Sequence, residues 1–261
     1  MYGHNHRTKN KERLQMTNFQ KYFFIIMAVI WGCMIFLATA TWSNSWDDYL
    51  KHDWENVQLL DGEGIIFIDA PYRAVDGSNV PVTIGTLTPD FVKLTVIVDE
   101  NPTPCCATFE FEGIPAQVAT NIRINAYTNI RVIGETRMGE HYMTTKFIKS
   151  AGGCSAPAIG AESRPRGSME FEETATNTTV QIWHPNYSGM QFNQLTRTEI
   201  PAEYISNLSV VKDGVTVFRY EGLIGIAENT YFKLPFVKDK SIEVYAEDNL
   251  GNQFEFNSLG F

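Results

Sequence analysis

The spacing of apolar positions changes twice along the chain. Residues 22–37 (YFFIIMAVIWGCMIFL) have no period at all, only an uncharged apolar run. Residues 45–60 then place Trp46, Leu50, Trp54 and Val57 at intervals of four, four and three, which lines one face of a helix. Ser45 and Asp48 form a loose capping box, and Asp61, Gly62 and Gly64 end the element. Beyond Ile65 the period falls to two. Val92, Leu94, Val96 and Val98 alternate with Lys93, Thr95 and Ile97; Phe109 and Phe111 alternate with acids; Ile122 and Ile124 flank Arg123. Turn residues such as Asp76-Gly77, Asn101-Pro102 and Glu112-Gly113 punctuate these runs. Short alternating strands bounded in this way predict an antiparallel sandwich with one wet face per sheet.

Residues 151–167 (AGGCSAPAIGAESRPRG) interrupt the alternation with glycines, prolines and no apolar face, which predicts a loop or linker. The period of two then resumes at residues 179–183, 208–220, 231–236 and 241–256, with Lys212-Asp213-Gly214 as a hairpin turn. A second sandwich of comparable size follows from it. The predicted order is a leader (1–40), a helix (41–60), a first sandwich (61–153), a linker (154–167) and a second sandwich (168–261).

The leader has its own chemistry. Arg7, Lys9, Lys11, Arg13 and Lys21 face one acid, Glu12, ahead of the apolar run, and Ala38-Thr39-Ala40 follows it. A basic region, an apolar stretch and a small-residue site describe a secretory signal peptide, with an uncleaved membrane anchor as the alternative. The predicted compartment is the periplasm, with membrane contact only if the segment stays attached. Removing these forty residues takes away five of the 21 basic and one of the 30 acidic residues, which moves the net charge from −9 to −13. So acidic a chain excludes nucleic acid, whose binders cluster Lys and Arg. A hydrophobic fraction of 44% excludes a mostly disordered chain.

Cysteine use narrows the chemistry further. Cys33 leaves with the leader, so Cys105, Cys106 and Cys154 remain, an odd number in an oxidising compartment. Cys105 and Cys106 are adjacent, and are read either as ordinary strand residues or as a secondary redox pair. Cys154 differs, because Gly152 and Gly153 precede it and Ser155, Ala156 and Pro157 follow it in the linker. Two glycines make a thin, flexible arm, and an exposed thiol there keeps a pKa near ~8.5. That is a handle for a partner's active site rather than a catalyst. His52, His141 and His184 show no metal-ligand spacing with the cysteines, and no haem, zinc, nucleophile-elbow or phosphate-loop motif is present. Neither a cofactor nor a metal is implied, and no residue is assigned a catalytic role.

The order of these features resembles a known pair of proteins. Residues 74–82 (AVDGSNVPV), 98–104 (VDENPTP), 120–124 (TNIRI) and Gly152-Gly153-Cys154 resemble SoxY, the sulfur carrier of periplasmic thiosulfate oxidation. Residues 182–186 (IWHPN), 205–208 (ISNL), 229–232 (NTYF) and the last hairpin resemble SoxZ. The whole is similar to fused SoxYZ-like carriers associated with quinoprotein dehydrogenases of methylotrophs. The resemblance implies two immunoglobulin-like antiparallel β-sandwiches in tandem that pair within one chain, and a non-catalytic carrier holding a sulfur intermediate on Cys154. It implies sulfur-oxidation enzymes as partners, or a quinoprotein dehydrogenase or its c-type cytochrome for an accessory role. In SoxY the arm is a free C-terminal tail. Here a second domain follows, so both ends of the loop are tethered and Cys154 is expected at the tip of a bulging hairpin.

Overall fold

Most runs of period two become strands, because alternation lets each strand bury one row of side chains between two sheets; the alternation over residues 122–124 instead falls where a strand ends, at Ile122. The structure, a computed structural model, describes residue 27 and residues 45–157, 164–236 and 241–258. The leader's signal features, Cys33 included, and residues 158–163 of the linker lie outside the described residues. Among the described residues no helix is long and apolar enough to cross a membrane.

The first half comprises α1 (Ser45–Asp53), β1 (Leu59–Asp61), β2 (Ile66–Asp69), β3 (Val80–Thr86), β4 (Phe91–Val98), β5 (Cys105–Phe111), β6 (Gln117–Ile122), β7 (Thr128–Thr136) and β8 (His141–Ile148). The second comprises β9 (Met169–Glu173), β10 (Thr178–Ile182), β11 (Phe192–Asn193), β12 (Thr198–Glu199), β13 (Ile205–Lys212), β14 (Val215–Gly222), β15 (Tyr231–Leu234), β16 (Ile242–Asp248) and β17 (Gln253–Asn257). The helix is shorter than its apolar period suggests. It ends at Asp53, and Leu59–Asp61 leaves the helical face to pair in parallel with β8. Trp46 is buried against Ile97 and Ile133 of the sheet, with Tyr49, Leu50 and Trp54 packed beside it. Arg131 stacks over the Trp46 ring at 4.4 Å while pairing with Asp99 at 2.7 Å, which fixes the helix on the sheet.

The two sandwiches are not beads on a string. One nine-stranded sheet runs β1-β8-β7-β4-β5-β14-β13-β16-β17, and one six-stranded sheet runs β2-β3-β6-β15-β10-β9. Both sheets therefore cross from one half to the other. The seam is β5 against β14, antiparallel from Phe111↔Phe218 to Ala107↔Gly222, and β6 against β15 at Ala119↔Lys233. Pairing consumes strand edges that each half alone would expose. Beneath it, the buried rings of Phe109, Phe218, Tyr220 and Phe232 pack at centroid distances of 4.8–6.4 Å. One hydrophobic core contains buried residues of both halves. This seam positions the site, because the Cys154 segment lies where first-half and second-half loops meet.

Candidate functional site

The chain leaving β6 runs into Arg123, Ile124 and Asn125, and all six of their backbone polar groups are paired. Arg123 N donates to Gly225 O (2.7 Å), Ile124 N to Gly77 O (2.8 Å) and Asn125 N to Asn101 Oδ1 (2.9 Å). In return Arg123 O accepts from Asn101 Nδ2 (2.8 Å), and Ile124 O accepts from Ser150 Oγ (3.0 Å). The remaining acceptors take the glycines: Gly152 N donates to Asn125 O (2.7 Å) and Gly153 N to Ile124 O (3.2 Å). The Gly-Gly segment is thus laid along the end of the first sandwich and bonded to it.

At Gly153 the missing side chain permits a close backbone approach. A Cβ on Gly153 would lie 2.0 Å from Gly77 O and 2.5 Å from Ile124 O. The reciprocal holds at Gly77, where a Cβ would meet Ser150 Oγ at 2.6 Å and Ala151 O at 2.8 Å. Two backbones in direct contact leave no room for side chains. Gly152 is different: it is exposed, has φ +69°, and a Cβ there would meet nothing within 4 Å.

Cys154 follows and is buried, at 0% exposure, which corrects the expectation of an exposed thiol at a hairpin tip. The physical reason is that the second sandwich closes over it. Ser188 Oγ donates to Cys154 O, and Ser188 N donates to Gln191 Oε1 (2.9 Å). Arg123, also at 0% exposure, donates from Nη1 to Gly153 O (3.1 Å) and from Nη2 to Asn186 O (3.3 Å). One buried guanidinium therefore ties the cysteine segment of the first half to a loop of the second. Its Nε has no hydrogen-bond partner, and its charge is balanced only at longer range by Glu228 and Asp76. Burial pushes the Arg123 pKa down and the Cys154 thiol up to about 11, against a smaller opposing pull from the Arg123 charge. At neutral pH the stowed thiol is protonated and a poor nucleophile.

Asn186 is the hub on the other side. With φ 43°, a conformation Asn tolerates better than most residues, it donates from Nδ2 to Ala227 O (2.7 Å), its Oδ1 accepts from Ile205 N (3.0 Å), and its N lies 3.1 Å from His184 Nδ1. His184 is buried, and burial lowers its pKa. His52 is exposed on α1, and His141 opens β8, edge-on to Trp54 at 5.6 Å. His141, His184 and the cysteines do not converge.

Cys105 and Cys106 sit side by side on β5, so their side chains leave opposite faces of the strand. Cys106 is buried against Gly225, whose Cβ would lie 2.5 Å from its Sγ, and accepts from Asn101 Nδ2 at 3.6 Å. Burial raises its pKa well above the ordinary thiol range. Cys105 is half-buried, and none of the three cysteines is in a disulfide. A concavity of about 600 Å³ lies elsewhere, on the nine-stranded sheet around Glu110, Arg219, Glu221 and Tyr245, and includes no residue of the Cys154 segment.

Two family patterns match the chain, "Sulfur oxidation protein SoxY" over residues 51–154 and "Sulphur oxidation protein SoxZ" over residues 168–258. The chain is a SoxY domain fused to a SoxZ domain. The SoxY match stops on Cys154 itself, and the SoxZ match begins beyond the linker. The β5–β14 and β6–β15 seam is therefore a SoxY–SoxZ interface made within one chain. Among solved structures, the chain is similar to the sulfur carrier protein SoxY from Chlorobium limicola f thiosulfatophilum, at 23% identity and TM-score 0.37 over 41% of this chain and 91% of that one. It is also similar to a β-glycosidase from Bacteroides vulgatus (11%, TM-score 0.24, 74% of this chain and 24% of that one). A marsupial T cell receptor gives 7% identity and TM-score 0.25 over 74% of this chain and 61% of that one. A search of curated protein sequences returns no match.

Proposed function

We propose that this SoxY–SoxZ fusion is a non-catalytic periplasmic carrier that holds a sulfur-containing intermediate covalently on Cys154 and presents it to the enzymes of sulfur oxidation. The observation that carries the reading is the position of Cys154 as the last residue of the SoxY match, at the seam with SoxZ. Its burial adds a step the sequence does not suggest. The carrier has a stowed state, in which the thiol is protonated and enclosed, and loading requires the segment to lift off Gly77, Ile124 and Ser188. Once lifted, the thiol regains an ordinary pKa near ~8.5 and enough thiolate to react. Gly152, exposed and unobstructed, is the pivot.

The test is complementation of a host lacking the gene. Cys154→Ser is expected to leave oxidation of reduced sulfur compounds at the level of the deletion, while Cys105→Ser restores it. Full restoration by Cys154→Ser would overturn the carrier reading. It would favour instead an accessory protein docking on a quinoprotein dehydrogenase or c-type cytochrome.

A further inference from the structure

His184, Glu203 and Asp248 come from three separate segments: the chain just beyond β10, the approach to β13, and the last residue of β16. The fold brings one donor atom from each to within 4.8 Å of the others. His184 Nε2 lies 3.7 Å from Asp248 Oδ2 and 3.9 Å from Glu203 Oε1. Both separations exceed a hydrogen bond. Nε2 is fully enclosed and has no hydrogen-bond partner, although His184 and the Asp248 side chain are both at 0% exposure. A buried imidazole nitrogen aimed at two carboxylates across a gap calls for an occupant.

We propose that this cluster is a zinc site, independent of the Cys154 chemistry. A cation about 2.1 Å from each donor sets tetrahedral donors about 3.4 Å apart, a few tenths of an ångström inside the two distances from His184 Nε2, while the three donors as a set lie within 4.8 Å and the carboxylates close on the ion as it binds. An imidazole nitrogen with carboxylates suits a first-row transition metal rather than calcium or magnesium, which prefer all-oxygen shells. The surroundings orient the ligands. His184 Nδ1 lies 2.9 Å from Asn186 Oδ1, and the tautomer that donates there turns the Nε2 lone pair into the gap. Asp248 is fixed by Leu250 N and Asn252 N on Oδ1 (2.9 Å each) and by Asn252 Nδ2 on Oδ2 (2.7 Å). Arg166, half-exposed, now pairs with Glu203 Oε1. When it swings to solvent, two carboxylates remain to neutralise a divalent ion.

Full-length protein freed of metal with a chelator is titrated with Zn²⁺ by calorimetry and with Co²⁺ by absorption. The expected result is one ion per chain, Co²⁺ bands without a thiolate charge-transfer absorption, at least ~10-fold weaker binding in Asp248→Asn and Glu203→Gln, and tighter binding in Arg166→Ala. Glu203 sits at the periphery of the cluster, so Glu203→Gln decides the matter should Asp248→Asn fail to fold. No stoichiometric binding, unchanged affinity in Glu203→Gln, or a thiolate band would overturn the site, leaving the gap to a bridging water.

Discussion

Replacing Gly153 by alanine is expected to release the Cys154 segment and raise the rate at which a thiol reagent labels Cys154 at neutral pH about 100-fold, equivalent to about 2.7 kcal/mol of docking free energy. The added Cβ would lie 2.0 Å from Gly77 O, a backbone atom that cannot rotate away. The segment must lift, and with it go the bonds from Gly153 N to Ile124 O and from Arg123 to Gly153 O. Gly152→Ala is the comparison. Its Cβ meets nothing, and only the left-handed φ of +69° opposes it, at a cost of about 1 kcal/mol. Labelling there should rise no more than ~10-fold. In the wild type, pH does part of what Gly153→Ala does. The stowed thiol's pKa lies above its ordinary value, so docking is fully stabilised below about pH 9 and weakens as pH climbs through the folded value of about 11. Labelling should accordingly steepen over that interval beyond what thiolate formation alone gives. Equal labelling of Gly153→Ala and wild type would refute the stowed state.

Arg123→Met is expected to have the largest effect on the whole molecule. The guanidinium satisfies two carbonyls, Gly153 O from the SoxY half and Asn186 O from the SoxZ half, and no methionine atom replaces either bond. Each orphaned buried carbonyl costs about 1–3 kcal/mol, while relief from burying a charge returns part of it. A net loss of about 3 kcal/mol lowers Tm by roughly 6–12 °C in a chain of this size. Cys154 labelling should rise as well, because the guanidinium holds its segment directly. The variant is measured by thermal denaturation and native-state labelling together. An unchanged Tm with unchanged labelling would show that Arg123 is not the tie between the halves.

The strands were legible because alternation is a local signal, and β4, β5 and β10 fall where the period of two places them. Their partners were not. The edges that join β5 to β14 and β6 to β15 are backbone surfaces, which apolar spacing does not encode, so two sandwiches were foreseen but not their shared sheets. The same gap hid the site. Arg123 between Ile122 and Ile124 reads as a wet-face residue, yet the SoxZ half covers that face and all three are buried. Gly152-Gly153 was ambiguous for a different reason: glycine marks a flexible arm and a close backbone approach with the same letters. Only the contact with Gly77 separates the two meanings. The meeting of His184 with Glu203 and Asp248 lay beyond sequence reach, since no fixed spacing links three separate segments.

The most direct measurement is the intact mass of the protein taken from its host during growth on reduced sulfur compounds, without reductant, followed by peptide mapping. A carrier predicts an added mass on Cys154 that a thiol reductant removes and that is absent from Cys154→Ser. A single unmodified mass before and after reduction, or an adduct mapped only to Cys105, would contradict the account.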